Sequence, residues 1–397
     1  MNRRSIAIAA LVASAALGLT ACKSSSPSSS SGGTNSTTST TGAAATSGGS
    51  GGASGLANAQ AIVAANANEP TDIPIKTALP KAPDKGIKVA FLSCQAAACS
   101  LLNPGFTAAA KALGWNPKVI TYDAKQPGQA LQQAIDAGYK YIATTSITLS
   151  TITPQVQQAK AKGVAIFGAY TGDTPQGKDN GLYGVAQNFT GSDNNGKLIA
   201  AWTIVNSNSN AHTLYVDLPL YPTLVEQGKG AQAEYKADCP TCSMDTLGLS
   251  VDQLGAGQGP SAIVTYLKSH TNINYLYLSF QDLDTGVAAA LKAAGLASRV
   301  KIVGTEGEES QLKSVVAGTE TAWSVLPEPY VMWVVVDWMA RQSEGVLDQA
   351  ALDATGAGVQ FMVDSPAKAQ AQLDENGGAW PGPKNYEAQF KALWHVS

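Results

Sequence analysis

The chain has 397 residues and a net charge of −3 at pH 7, with 26 basic and 29 acidic side chains. This balance gives no basic surface, so we expect no binding to nucleic acid. Hydrophobic residues make up 44% of the chain and charged residues 14%, which is typical of a globular protein. The part that can fold has about 340 residues, which is too many for one hydrophobic core and predicts two domains.

The start of the chain has the pattern of an export signal that ends in a cysteine. Arg3 and Arg4 precede an apolar run at 6–21, which has about the length of a secretory signal core and is short for a membrane span. The motif Leu19-Thr20-Ala21-Cys22 resembles the bacterial lipobox, in which the signal is cut before the cysteine and the thiol is lipidated. We therefore expect a signal peptide at 1–21, a lipid on Cys22, and a location on the extracytoplasmic face of the cell membrane, held there by the lipid alone. An uncleaved membrane helix and a secreted protein with an incidental cysteine are the alternatives.

Low-complexity chain follows this cysteine. Residues 22–56 are mostly Ser, Gly, Thr and Ala, and such a composition buries too little apolar surface to fold. We expect this segment to be a flexible linker. Residues 57–85 contain four prolines and predict a partly ordered lead-in to the first domain.

Four further cysteines stand in two close pairs, Cys94 with Cys99 and Cys239 with Cys242. Outside the cytoplasm, an even set of closely spaced cysteines is typical of disulfides. Each pair would close a short loop and so would stabilise local structure without joining domains. For Cys239 and Cys242 a redox centre or half of a four-cysteine zinc site are the alternatives. We expect structural disulfides and no metal.

From Gly86 onward, β-branched or aromatic runs alternate with segments of helical periodicity. The predicted strands lie at 87–92, 118–122, 139–144, 164–167, 212–217, 244–251, 275–280 and 301–303. The predicted helices lie at 104–113, 127–137, 154–162, 195–205, 224–235, 260–269 and 285–294. This alternation predicts two α/β units, each with a parallel sheet and right-handed crossovers. A later apolar stretch at 331–339 is too short to span a membrane and contains Asp337.

Five local patterns, taken in chain order, resemble one known family. They are Asn103-Pro104-Gly105-Phe106 at the opening of the first helix, Tyr122-Asp123 followed by the helix at 129–138, the glycine-bounded helix at 286–295, the strand end at 302–307, and the final helix at 386–394. Together they are similar to the type I periplasmic binding proteins. The resemblance covers about 86–345 and is to the ribose- and galactose-binding branch that serves ABC importers.

The resemblance implies an α/β fold with two Rossmann-like lobes, each a parallel sheet flanked by helices, joined by a hinge. On this basis the N-terminal lobe is expected at 86–182, completed by about 326–350, and the C-terminal lobe at 183–325, completed by about 351–397. The hinge crossovers are expected near Asn180, at Glu306–Gly307 and at Leu326–Pro329. We expect no enzymatic activity or cofactor, because the sequence has no Gly-x-Ser-x-Gly elbow, no Walker loop and no nucleophile–base pair that a hydrolase in the cleft would need. The resemblance further implies a monomer whose partners are a small ligand and an ABC permease. A sensor that presents its ligand-closed form to a membrane receptor kinase is the alternative.

The resemblance also places the ligand contacts in the cleft between the lobes, beyond the carboxyl ends of the strands. Asn103, Phe106 and Glu306 keep the residue type of the family, whereas apolar or aromatic residues replace several polar contacts of its sugar binders. The residues expected to contact the ligand are Asn103, Phe106, Tyr170, Tyr221, Phe280, Gln281, Asp282, Glu306 and Trp323.

These replacements predict a ligand that has an apolar or aromatic portion and few polar groups, because a buried hydroxyl without a partner costs about 1–3 kcal/mol. A shift of one or two residues in the loops is the alternative. In that case Asp173, Asp282 or Asp284 would hold an ordinary sugar, and the aromatic residues would be part of the cores.

Overall fold

The structure is a computed structural model that describes residues 50–397, with side chains from Ser54 onward. The predicted signal peptide, Cys22 and most of the predicted linker lie outside the described residues. The strands of a first sheet are β1 (Lys88–Cys94), β2 (Asn116–Tyr122), β3 (Tyr141–Thr145), β4 (Ala165–Ala169) and β5 (Leu182–Ala186). They pair in parallel in the order β2-β1-β3-β4-β5.

A second sheet has six strands. They are β6 (His212–Asp217), β7 (Ser243–Gly248), β8 (Tyr275–Leu278), β9 (Lys301–Gly304), β10 (Ala322–Val325) and β11 (Phe361–Val363). Their order is β11-β10-β9-β8-β6-β7. All neighbours are parallel except β10 and β11, which are antiparallel. Two mainly parallel sheets were predicted from the sequence, and the antiparallel edge strand was not.

Helices cover the sheets. The helices of the first half are α1 (Ser50–Ala65), α2 (Ala97–Ala112), α3 (Pro127–Asp136), α4 (Thr153–Ala161), α5 (Phe189–Ser207) and α6 (Pro222–Asp238). Those of the second half are α7 (Val251–Gly255), α8 (Gly259–Ser269), α9 (Val287–Ala293), α10 (Glu309–Val316), α11 (Glu328–Ser343), α12 (Gln349–Thr355), α13 (Pro366–Asn376) and α14 (Tyr386–Leu393). Short 3-10 turns stand at Leu149–Ile152 and Gln281–Asp284.

Each sheet has its own hydrophobic core on both faces. Strands β3 and β4 are buried along their whole length, which is why they are apolar without alternation. We define lobe 1 as the first sheet with α2, α3, α4, α11, α12 and α14, and lobe 2 as the second sheet with α1, α5 to α10 and α13, from the contacts between these elements and their shared core clusters.

The chain passes between the lobes at different places from those that the sequence suggested. The chain already passes from α1 of lobe 2 to β1 of lobe 1 before residue 88. The crossover predicted near Asn180 instead follows β5, after Ala186, because β5 completes the first sheet. Glu306–Gly307 is not a crossover, since β9 before it and α10 after it both belong to lobe 2. The chain returns to lobe 1 between β10 and α11, as predicted at Leu326–Pro329. It then reaches lobe 2 again at β11, and α14 lies back in lobe 1 against α11.

Two further differences concern helices. Helix α1 includes the end of the predicted linker, because Leu56 and Ala59 pack in a lobe 2 core with α5 and α6. Helix α2 begins at Ala97 and carries Pro104 inside it, whereas the sequence placed the helix start at 103–106. Burial of Cys99 and Leu102 on the same face as Phe106 outweighs the backbone hydrogen bond that the proline cannot make.

Candidate ligand-binding cleft

A narrow cavity lies between the two lobes, with a volume of about 60 Å³ and an opening to solvent. Lobe 1 supplies Cys94, Ala96, Ala98, Cys99, Leu102, Thr145, Ser146 and Tyr170, and lobe 2 supplies Tyr221, Thr223, Leu224, Phe280 and Glu306. Glu328, the first residue of α11 after a crossover, completes the lining. The hinge region therefore contributes directly to the cavity wall.

The strand ends explain why these residues meet. Cys94 ends β1, Thr145 ends β3, Tyr170 follows β4, and Phe280 and Glu306 stand two residues after β8 and β9. The carboxyl ends of parallel strands lie at one edge of each sheet, where ligands of open α/β folds bind. The two sheets direct these edges toward the same cavity.

Three residues of the lining have a left-handed backbone. Ser146 and Tyr170 have φ of 55° and Glu306 has φ of 64°, a region that residues with a Cβ rarely adopt. Each such conformation costs of the order of 1–3 kcal/mol and persists only where the surroundings enforce it. All three residues follow strand ends and line the cavity, so the strained backbone belongs to the cavity wall.

Tyr170 forms a hydrogen bond with Glu328, a buried acidic residue of the cavity lining. The hydroxyl of Tyr170 donates a hydrogen bond to Oε2 of Glu328 over 2.8 Å. Burial raises the pKa of Glu328 well above its ordinary value, and the nearby carboxylate of Glu306 raises it further. Burial likewise raises the pKa of the Tyr170 hydroxyl, with Glu328 adding to the effect.

Glu306 is the second acidic group of the cavity. Burial raises the pKa of Glu306 to about 8, and the carboxylates of Asp282 and Glu308 add to the shift. Burial alone raises the pKa of Glu308 to about 7. Burial raises the pKa of Asp282, although the backbone N–H of Ala98, from lobe 1, partly offsets it. In the described part of the chain none of the four acids, Asp282, Glu306, Glu308 and Glu328, forms an ion pair.

These shifts predict that the ligand-free protein loses stability as pH rises. Glu306 has an ordinary pKa of 4.5 and a folded pKa of about 8, so the folded state binds more protons than the unfolded state between these values. The free energy of unfolding therefore falls with rising pH in this window. Urea unfolding at about pH 5 and about pH 8 measures it, and Glu306→Gln should flatten the dependence. A stability that rises with pH over this window would contradict the assignment.

The structure brings four of the expected contact residues to the cavity, namely Tyr170, Tyr221, Phe280 and Glu306. Phe106 and Trp323 lie instead in hydrophobic cores. The ring of Phe106 is 5.5 Å from that of Phe91, and the indole N–H of Trp323 donates to Glu320 over 2.6 Å. Both side chains are large and apolar, and they pack in the cores because they lie on the buried faces of α2 and β10.

The remaining three expected contacts stand beside the cavity and outside its lining. Asn103 is partly buried and its Oδ1 has no hydrogen-bond partner. Gln281 and Asp282 form the start of the 3-10 turn that follows Phe280, and both amide atoms of Gln281 are buried without a partner.

Several lining residues had no specific signal in the sequence. Thr145 and Ser146 could have been found from their position at the end of β3, as Tyr170 was at the end of β4. Glu328 could have been found only from its place at a crossover. Thr223 and Leu224 open α6, where the family comparison drew attention to Tyr221.

Both cysteine pairs form disulfides in the structure. Cys94 and Cys99 have Cα atoms 5.5 Å apart and close the turn between β1 and α2 at the cavity. Cys239 and Cys242 have Cα atoms 5.3 Å apart and stand between α6 and β7, at the opposite end of the lobe 2 sheet. Among residues 50–397 no group of three or more potential metal ligands comes together.

We expect the two disulfides to differ in their effect on ligand binding. Each closes a loop of few residues, so removing either should cost about 2 kcal/mol of stability in the chain-entropy picture. Only the double variant Cys94→Ser with Cys99→Ser should also weaken ligand binding, because Ala96 and Ala98 in its loop line the cavity. Calorimetric titration of both double variants with the same ligand measures this. Equal losses of affinity in the two would refute it.

Two α/β lobes that enclose a cavity at their strand ends define a class of proteins that bind small solutes between lobes. Residues 93–346, more than half of the chain, match the sequence profile of the periplasmic binding protein domain, and the chain belongs to that family. The resemblance to type I periplasmic binding proteins found in the sequence is thereby confirmed. A comparison with curated proteins gave no match.

Solved structures of the same fold are similar over most of the chain. A solute-binding protein of a 5-methylthioribose transporter from Thermotoga lettingae, in complex with 5-methylthioribose, has a TM-score of 0.64 and 15% identity and covers 80% of this chain and 99% of its own. An ABC transporter periplasmic solute-binding protein from Actinobacillus succinogenes with bound D-allose has a TM-score of 0.60 and 16% identity, covering 72% and 99%. A periplasmic ribose ABC transporter protein from Conexibacter woesei has a TM-score of 0.60 and 17% identity, and covers 74% of this chain and 96% of its own. At these identities the likeness concerns the fold.

Proposed function

We propose that this protein is a lipid-anchored, extracytoplasmic solute-binding protein that captures a small organic ligand between its lobes and delivers it to an ABC importer. The observation that carries the proposal is the cavity walled by strand ends of both lobes and by Glu328 at a crossover. A ligand that touches both walls favours the closed arrangement of the lobes, and an importer can recognise that arrangement. We assign binding and no catalysis to the cleft.

The ligand in this proposal has an apolar portion. Tyr170, Tyr221, Phe280, Leu102 and Leu224 all line the cavity. Of the polar side chains in the lining, Tyr170 and Glu328 are already bonded to each other. A methylthio-bearing sugar, as in the Thermotoga lettingae complex, is one kind of molecule with such a portion.

Two of the three aspartates that could have held an ordinary sugar are engaged elsewhere, and the third, Asp282, stands in the turn after Phe280. Asp173 accepts hydrogen bonds from the backbone N–H of Leu149 over 2.9 Å and from the hydroxyl of Thr171 over 2.8 Å. Asp284 accepts from the side chain of Gln311 over 3.2 Å. Neither lines the cavity, and this favours the more apolar ligand over the shifted alignment.

Native mass spectrometry of the full chain, as purified and after incubation with a mixed metabolite panel, tests the proposed function. Thermal unfolding checks each hit, because a ligand at about a thousand times its Kd adds about 4 kcal/mol to stability. An adduct with an aromatic or aliphatic portion is expected. Tight binding of a plain pentose or hexose with no response to apolar compounds would contradict the ligand assignment. A chain that binds no small molecule would contradict the function itself.

The lipid anchor is tested separately by a substitution that replaces one sulfur atom with oxygen. Cys22→Ser removes the thiol that carries the lipid, and we expect the variant to leave the membrane fraction. Ser30→Ala, in the same low-complexity segment, should stay membrane-bound. Equal fractionation of the two variants would show that Cys22 does not anchor the chain.

A further inference from the structure

The cavity contains acidic side chains and no basic one. Glu306 and Glu328 line it, and no Lys, Arg or His is among the residues that do. Glu306 is only 8% exposed and Glu328 only 4%. A buried carboxyl group needs a cation or hydrogen-bond donors to offset its lost hydration, so the partners of each decide what the cavity can accept.

The two carboxyl groups differ in their partners. Glu328 accepts the hydrogen bond of Tyr170, whereas no donor in the described part of the chain bonds the carboxylate of Glu306. The surroundings of Glu306 contribute further negative charge through Asp282 and Glu308. A nine-tenths buried acid that lines a cavity and lacks a protein partner is a place for a ligand group that donates or carries positive charge.

Aromatic rings complete the environment. Tyr170, Tyr221 and Phe280 line the same cavity as Glu306. The face of an aromatic ring attracts a cation with about 0.5–2 kcal/mol, more where water is excluded. Rings and a carboxylate together favour an ammonium group with hydrocarbon around it over a neutral polyhydroxy compound.

We infer that the ligand of this cleft is an organic cation, an amine or quaternary ammonium compound, whose charged nitrogen lies against Glu306 and whose hydrocarbon part packs on Tyr170, Tyr221 and Phe280. The inference rests on the proposed function, since it names the chemical class of the captured solute. The cation supplies the positive charge that the protein itself does not place beside Glu306. In the empty cleft a proton on Glu306 has that role.

Matched pairs of compounds that differ in charge and share their shape test the inference. Choline is compared with its neutral analogue 3,3-dimethylbutan-1-ol, and 2-phenylethylamine with 2-phenylethanol, by calorimetric titration of the full chain in mild detergent. We expect at least one cation to bind at least about tenfold more tightly than its neutral partner, a difference of about 1.4 kcal/mol. D-ribose and D-glucose are titrated alongside.

Two glutamate variants locate the effect. Glu306→Gln should abolish the preference for the cation, and Glu309→Gln should keep it. Glu309 is an exposed residue that pairs with Lys313 on α10, so its variant removes the same charge outside the cavity. If Glu306→Gln fails to fold, the comparison of charged and neutral compounds on the unmodified chain decides alone.

Three outcomes would overturn the inference. They are equal affinity for charged and neutral partners, retention of the preference in Glu306→Gln, and the absence of binding by both cations. Binding of D-ribose or D-glucose without binding of either amine overturns the inference and leaves the proposed solute-binding function standing. That function fails only if the metabolite screen finds no ligand at all.

Discussion

Replacing Asp337 by alanine is expected to destabilise the protein by about 3–5 kcal/mol, because it leaves a buried arginine without its counter-charge. Asp337 is 1% exposed and Arg341, one turn later on α11, is 2% exposed. The Nε of Arg341 donates to Oδ2 of Asp337 over 2.6 Å, and the indole N–H of Trp394 donates to Oδ1 over 2.7 Å. The guanidinium also donates to the backbone carbonyl of Thr77 over 2.8 Å. The ion pair thus joins α11 to Trp394 through its carboxylate and to the lead-in before β1 through its guanidinium.

Urea unfolding of Asp337→Ala measures this loss. The matched control is Glu309→Ala, which breaks an ion pair of the same i,i+4 spacing with Lys313 on α10. In that pair the side chains are 53% and 65% exposed, and solvent screening reduces its worth to about 0.5 kcal/mol or less. If both variants lose the same stability, burial is not what gives the Asp337 pair its importance.

Substitution of Gly105 by alanine is expected to cost about 1–3 kcal/mol, because the added methyl group has no room. A Cβ at this position would lie 2.1 Å from the backbone oxygen of Pro329 and 2.6 Å from its Cα. Backbone atoms at that distance cannot turn aside, so α2 must move away from the start of α11. Because α2 carries Leu102 and α11 carries Glu328, both of which line the cavity, ligand affinity should fall as well.

Gly255→Ala provides the same substitution with the opposite expected sign. Gly255 ends α7, its backbone φ is not left-handed, and no atom lies within 4 Å of an added Cβ. Alanine there should stabilise the protein by about 0.4–1 kcal/mol by restricting the unfolded chain. Urea midpoints and ligand titration of the two variants test both expectations, and a loss in Gly255→Ala equal to that in Gly105→Ala would count against the close-contact argument.

The alternation of strands and helices was readable in the sequence because buried parallel strands leave an uninterrupted apolar signal. The run Tyr275–Leu278 is short, apolar and bounded by polar turns, and the structure has a strand there. Strand β5 was not predicted, because Leu182–Ala186 contains a glycine and no helix separates this strand from β4. Helix α1 was not predicted, because its Ser- and Gly-rich start resembles a linker. Its packing on α5 and α6 stabilises it.

The cavity was less predictable than the fold for a physical reason. Strand ends can be found from local sequence, and this located Tyr170, Phe280 and Glu306. Which side chains turn into the cavity depends on helix position, and Phe106 lies on the core-facing side of α2. Glu328 depends on where the chain crosses between lobes, and no local pattern reports that.

Neither lobe is a continuous stretch of chain. The core of lobe 1 contains Trp394, whose ring stacks on that of Trp333 at 5.3 Å between centroids, while β1 of the same core lies some three hundred residues earlier in synthesis order. Contacts of such sequence separation form slowly, and here they cannot form at all until the last helix has emerged. A chain cut before Trp394 would lack the indole N–H that donates to Asp337, and proteases would cleave it more readily because its open form is more populated. The winding of the chain through both lobes therefore delays completion of the lobe 1 core until the residues around Trp394 have been synthesised.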